Sequence, residues 1–133
     1  MENKSKKILS EVSVGELLDK ISILEIKLEK VSEKRSLEQL KKEYQILKGN
    51  QNSTIKLEGK VKDLFKSLKN INLKLWNIEN RLRICEKNKD FGKEFIELAR
   101  EVYFNNDKRS KIKSDINKTL GSNIVEIKQY ASY

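Results

Sequence analysis

The sequence predicts an all-α fold: an elongated antiparallel helical bundle with one long central helix and an irregular C-terminal tail. Three observations predict it. Hydrophobic and charged residues each account for 37% of the 133 positions, a thin-core balance that suits long amphipathic helices. The chain has no proline and only five glycines, too few turn signals for a sheet protein. Apolar residues recur at alternating spacings of three and four, which is the period of a helix face.

Residues 1–11 read as a flexible polar arm, and residues 12–133 as a single helical-bundle domain. Helix 1 opens at Ser13, which forms a capping box with Glu16, and Val12 with Leu17 forms the matching hydrophobic staple. Its seam runs through Val14, Leu17, Ile21, Leu24, Leu28 and Val31. Leu18, Ile23 and Ile26 widen that face, so the helix should meet more than one neighbour. A second helix is expected from Ser36, with Gln39 three residues on. It passes through Leu37, Leu40, Tyr44 and Leu47 to a stop at Gly49-Asn50.

The third helix is the dominant element, expected from about Ile55 to Asn88. Leu57, Val61, Leu64, Leu68, Ile71, Leu75, Ile78, Leu82 and Cys85 alternate without a miss. Such a helix is about 50 Å long. Phe65, Leu73, Trp76 and Ile84 flank its seam, and a rod so thin cannot bury them within one chain. That predicts self-association, most simply a twofold homodimer. Helix 4 is expected to be capped by Asp90 and to open with Phe91, Phe95, Leu98 and Val102. Gly121 should stop it. Ser122 to Tyr133 is too short for another bundle helix, and its apolar residues should lie on the helices.

Composition excludes several chemistries. With no histidine, imidazole acid/base catalysis, Ser/His and Cys/His pairs and imidazole metal sites are all removed. A single cysteine, Cys85, forbids an internal disulfide and fits a reducing cytoplasm. On a helix seam it reads as a small hydrophobe. Neither a signal-peptide h-region nor a membrane-length apolar run is present, so the reading is cytoplasmic with no membrane span. No cofactor is implied.

The net charge of +9 invites a nucleic-acid reading, yet 24 of the 29 basic residues are lysine. Arginine, the better reader of phosphates and bases, is scarce. Lysine, asparagine and isoleucine rise together, as A/T-rich codons would produce, and the balance goes against nucleic acid.

The most informative feature is a polar break in helix 4, Tyr103 to Arg109, which puts Asn105 and Arg109 on the seam before Ile112 and Ile116 resume it. A buried unpaired charge is costly, so Arg109 must meet partners, water or a ligand. The candidate site is a polar pocket between helices 1, 3 and 4. Arg109 and Lys113 would bind charge there, and Asn105 and Asn106 would supply amides. The possible partners of Arg109 are Glu16, Asp19, Lys20 and Glu25 on helix 1 and Asn72, Asn77, Glu79 and Arg81 on helix 3, and spacing does not choose among them. Lys113 adds positive charge beyond what one internal ion pair needs, which points to an anion. The competing reading is a polar registry device. Carboxylate pairs also occur, Glu94 with Glu97 and Glu16 with Asp19, in spacings that helical nucleotide pyrophosphohydrolases use for magnesium. Their chain order is reversed, and a solvated or capping role explains them.

Several strings together resemble an uncharacterised bacterial family, a domain of unknown function. They are Val12–Ile21 with Ile23–Lys27, Leu75–Glu79, Phe95–Arg100, Asn106–Arg109 with Lys113, Ile116-Asn117, Leu120–Ser122, and Val125-Glu126 with Lys128 and Tyr130. The resemblance implies an all-helical fold and a loose setting near surface-polysaccharide genes, and it assigns no activity or catalytic residue. The resulting functional expectation is a non-enzymatic binding or assembly module with a pocket for a small anionic or sugar-like ligand. The alternatives are a magnesium-dependent nucleotide hydrolase of helical type and a basic nucleic-acid-binding protein.

Overall fold

The computed structural model describes residues 6–133, and the expected arm before residue 6 lies outside them. All regular structure among the described residues is helical: α1 (Val14–Lys30), α2 (Lys34–Thr54), α3 (Gly59–Lys87) and α4 (Lys93–Leu120). The helices pack as a bundle. α3 and α4 form an antiparallel hairpin, pinned by Arg81–Glu94 at 2.6 Å and Lys74–Glu101 at 3.5 Å. α1 packs on both of them, and α2 packs on α1.

α1 starts where its sequence says. Ser13 Oγ accepts from the Glu16 N–H at 3.1 Å. The other first-turn donors are satisfied from afar: the Val14 N–H donates to Ser122 Oγ (3.1 Å) and the Gly15 N–H to Asn117 Oδ1 (2.6 Å). A Cβ at residue 15 would sit 2.6 Å from the Lys113 carbonyl, so this crossing of α1 on α4 requires glycine. The Glu16 carboxylate does not close the capping box. It turns outward from its own helix to Lys113.

Four boundaries differ from expectation. α2 begins at Lys34 because Glu33, not Ser36, is its cap. The Glu33 carboxylate accepts from Arg35 N–H (3.0 Å) and Ser36 N–H (2.7 Å), satisfying two donors where a hydroxyl satisfies one. Gly49-Asn50 does not end α2, which runs on to Thr54. Buried Gln51 ties the end by donating to the Ile55 carbonyl (2.8 Å), and an interior glycine costs only about 0.5–1 kcal/mol. Ile55 and Leu57 therefore lie in the connector, and α3 starts at Gly59 with φ +58°. At 29 residues α3 is about 44 Å long and unbroken, and α4, at 28, nearly matches it. Asp90 precedes the α4 cap, Gly92, and accepts from its N–H at 3.1 Å. Gly121 ends α4 in the left-handed region, as expected.

Two apolar clusters result. The base cluster holds Leu18, Ile21, Val61, Leu68 and Ile116, with Tyr44, Leu47 and Phe65 packed around it. The tip cluster holds Ile78, Cys85 and Leu98, with Leu82, Phe95 and Val102. Burial, then the charges of Glu94 and Asp90, raises the Cys85 thiol pKa, as befits a packed hydrophobe. Between the clusters in sequence and in space lies the polar stretch: Asn72 on α3, and Asn105 to Lys113 on α4.

Candidate functional site

α1 presents Glu16, Asp19 and Ser22 at one-turn spacing toward the α3–α4 hairpin. Asp19 is 1% exposed. It accepts from Arg109 through both oxygens, Nε to Oδ1 at 2.9 Å and Nη2 to Oδ2, and from Asn72 Nδ2 at 2.9 Å. Asn72 Nδ2 also donates to Ser22 Oγ (2.7 Å), whose hydroxyl donates to the Asp19 carbonyl (2.8 Å). This bidentate pair, more than burial, sets the Arg109 pKa, which is raised. One turn on, Lys113 donates to Glu16 (2.7 Å) and to Glu126 of the tail (3.1 Å), with Asp19 at 4.0 Å. Burial opposes the Lys113 charge, but those hydrogen bonds prevail and raise its pKa.

The structure thus brings Arg109, Lys113, Glu16, Asp19 and Asn106 together. Asn106 Oδ1 accepts from Arg109 Nη1 at 3.5 Å. Asn105 is buried in the same layer but turns along its own helix, donating to the Glu101 carbonyl (2.7 Å) and carboxylate (3.0 Å). Asn105, then Lys74, lowers the Glu101 pKa. Glu25 belongs elsewhere: it accepts from Tyr44 (3.1 Å) and pairs with Lys69 (3.2 Å), linking α1 to α2 and α3. Lys20 is exposed on α1 and apart from the cluster. Glu79 pairs with Arg83 at 3.4 Å and meets Arg109 only as a fellow lining residue of the groove described below.

One premise of the anion expectation fails at this point. Lys113 is not surplus, because the two cations face three carboxylates, Asp19, Glu16 and Glu126. Glu126, Ser22 and Asn117 escaped the sequence reading as partners. Small polar residues beside seam positions of α1 and α4 were the available signal, whereas nothing in a heptad pattern places a tail residue.

Beside this network, α1, α3 and α4 enclose a groove of about 550 Å³, lined by Ile23, Ile26, Asn72, Leu75, Trp76, Asn106 and Arg109, with Glu79, Asn80 and Arg83 completing the wall. Trp76 is half-buried in it. The carboxylate pairs lie apart and engaged: Glu94 with Arg81, Glu97 with Lys93 at 3.9 Å, and Glu16 and Asp19 with the cations above. Glu94 stands nineteen residues before Lys113 on α4, about 28 Å away. Among the described residues no group of three or more acidic or thiol side chains is placed to hold a metal, and no helix is long and apolar enough to cross a membrane.

Fold and site together define a small all-helical protein whose two apolar clusters are divided by a buried ionic layer opening on a groove. The chain belongs to a family of unknown function, DUF6165, whose model matches residues 8–133. No curated protein and no solved structure is a match.

Proposed function

We propose that this protein is a non-enzymatic binding and assembly module whose groove beside Trp76 takes a hydroxyl-rich, sugar-like ligand. The composition of the groove wall supports this reading. One half-buried indole shares the wall with the planar polar groups of Asn72, Asn80, Asn106 and Arg109. An indole face offers apolar area to a sugar ring at low entropic cost, and amides and guanidinium offer hydrogen bonds in fixed planes. Arg109 comes to that wall already neutralised by Asp19. Its remaining N–H groups suit hydroxyl oxygens better than a full negative charge. The setting near surface-polysaccharide genes that the family resemblance implies agrees with the ligand class. A cytoplasmic site, where Cys85 stays reduced, completes the proposal.

The assembly half of the reading rests on the hairpin tip. There α3 and α4 are two helices without a third, and Ile84, Phe91 and Ile96 are about half exposed. A second copy related by a twofold axis would cover them.

Trp76 is the only tryptophan, so its fluorescence reports directly on the groove. Titration with neutral oligosaccharides, sugar nucleotides and polyanions should shift it for a sugar-bearing member of the panel. Trp76→Ala should keep the melting temperature within a few degrees and lose the ligand's thermal shift. If Trp76→Ala binds that ligand as the parent does, the groove is not the site.

A further inference from the structure

We propose that the cleft between α4 and the C-terminal tail is a phosphate-binding site, which the chain's own Glu126 fills as a stand-in anion. This cleft, about 290 Å³, is separate from the Trp76 groove and independent of the reading given for it. Its fixed wall is one face of α4: Ser110, Lys113 with Ser114, and Asn117 at successive turns, with Lys111 beside them. Its other wall is tail residues 126–128.

Lys113 is 6% exposed, so its ammonium is a built part of the interior and not a loose surface amine. Glu16 at 2.7 Å already neutralises it, with Asp19 at 4.0 Å behind. Glu126, at 3.1 Å, is therefore an additional anion delivered by an irregular segment. Lys128 reaches the same carboxylate at 3.6 Å, and Lys111 is in no ion pair among the described residues. Glu126 is the one carboxylate lining the cleft among the described residues, so with it withdrawn the lining keeps Lys111, Lys113 and Lys128, of which Lys113 stays paired with Glu16 and Asp19 behind it. Lysine ammonium groups bind phosphate as compact point charges, and the Ser110 and Ser114 hydroxyls add donors for its oxygens.

The tail can yield this position without detaching. It is anchored at one end by Ser122 on Val14 (3.1 Å) and Asn123 on Glu11 (2.6 Å). At the other end Tyr133 donates to Asp107 and packs edge-on against Tyr103 and Phe104. Between these anchors no backbone–backbone hydrogen bond holds the tail to the helices.

The test is a titration of the full chain with inorganic phosphate at constant ionic strength, followed by amide NMR. Glu126→Gln removes the competing charge and keeps the shape. It should bind phosphate about tenfold more tightly than the parent, with shifts confined to residues 110–117 and 124–128. Adding Ser114→Ala to that variant should weaken binding again, and it leaves Lys113 paired where a Lys113 substitution would strand Glu16. Glycerol phosphate is the second arm. Binding as tight as inorganic phosphate assigns a phosphate ester, and its failure assigns the free ion. Equal affinity in parent and Glu126→Gln, shifts spread evenly over exposed lysines, or acetate binding as tightly as phosphate would each overturn the proposal.

Discussion

The base and the tip of this molecule share one sequence pattern and differ in what covers it. Val61, Leu64 and Leu68 at the base repeat with the same regularity as Ile78, Leu82 and Cys85 at the tip. At the base, α1 and α2 add their own side chains, and Leu18, Ile21, Leu68 and Ile116 are fully buried. At the tip only α3 and α4 meet, and half of their apolar flank faces water. Hydrophobic periodicity tells where a helix turns its core face, but not how many neighbours stand there. The ionic layer sits at the boundary, where α1 crosses the hairpin.

Breaking that layer should have the largest effect. Asp19→Ala leaves the partly buried Arg109 guanidinium and the Asn72 amide without their shared acceptor, so unfolding in urea should show a loss of about 3–5 kcal/mol. Arg109→Leu should also destabilise, since it strands the buried Asp19 carboxylate. Replacing Asp19 and Arg109 together by leucine should restore most of the loss, because removing both charges removes the desolvation cost with them. A loss below about 1 kcal/mol for Asp19→Ala would mean that water reaches the pair and that the layer divides nothing.

That layer was partly legible in the sequence. The interruption of the α4 seam at Asn105 and Arg109 located it, and the list of carboxylates on helix 1 contained both true partners, Glu16 and Asp19. Spacing could not choose between Asp19 and Glu25, because both lie on the inward half of α1 and the crossing angle decides which one meets α4. Gly15 fixes that crossing through a close approach to Lys113, a constraint with no periodic signature. Helix ends failed for a similar reason. Glu33 competes with Ser36 as a cap through two oxygens, and Gln51 holds α2 together past Gly49 by a contact visible only in three dimensions.

The tip gives a sharper version of the comparison at intermediate cost. If a second copy supplies the missing third layer, Ile84→Glu combined with Ile96→Glu should leave the base intact and abolish self-association. Light scattering at tens of micromolar protein should then fall from a dimer to a monomer mass, while stability changes by less than about 1 kcal/mol in the monomer. A parent protein that is already monomeric would show that the tip is simply a weakly covered hairpin. In that case its amides should exchange well before those of the base.

The smallest effect is a pH dependence confined to the base. The hydrogen bond from Lys113, opposed by partial burial and reinforced by the Lys113 and Lys128 charges, holds the Glu126 carboxyl below its ordinary range. A carboxyl whose folded pKa is depressed contributes stability above its unfolded pKa and loses it as pH falls through the folded value. Acidification through that depressed value should therefore release the tail from Lys113. Lys113 has the opposite sign. Its raised pKa makes its contribution complete below the ordinary lysine value and lost only as pH climbs through the higher folded one. The Glu126 side chain is 39% exposed, so solvent screening keeps its share below about 1 kcal/mol. The measurement is the melting temperature across the acid range for the parent and for Glu126→Gln. The parent should lose a small increment below the ordinary glutamate range that the variant, lacking the charge, never had. Coincident curves would show that the tail's contact with Lys113 contributes nothing to holding the base together.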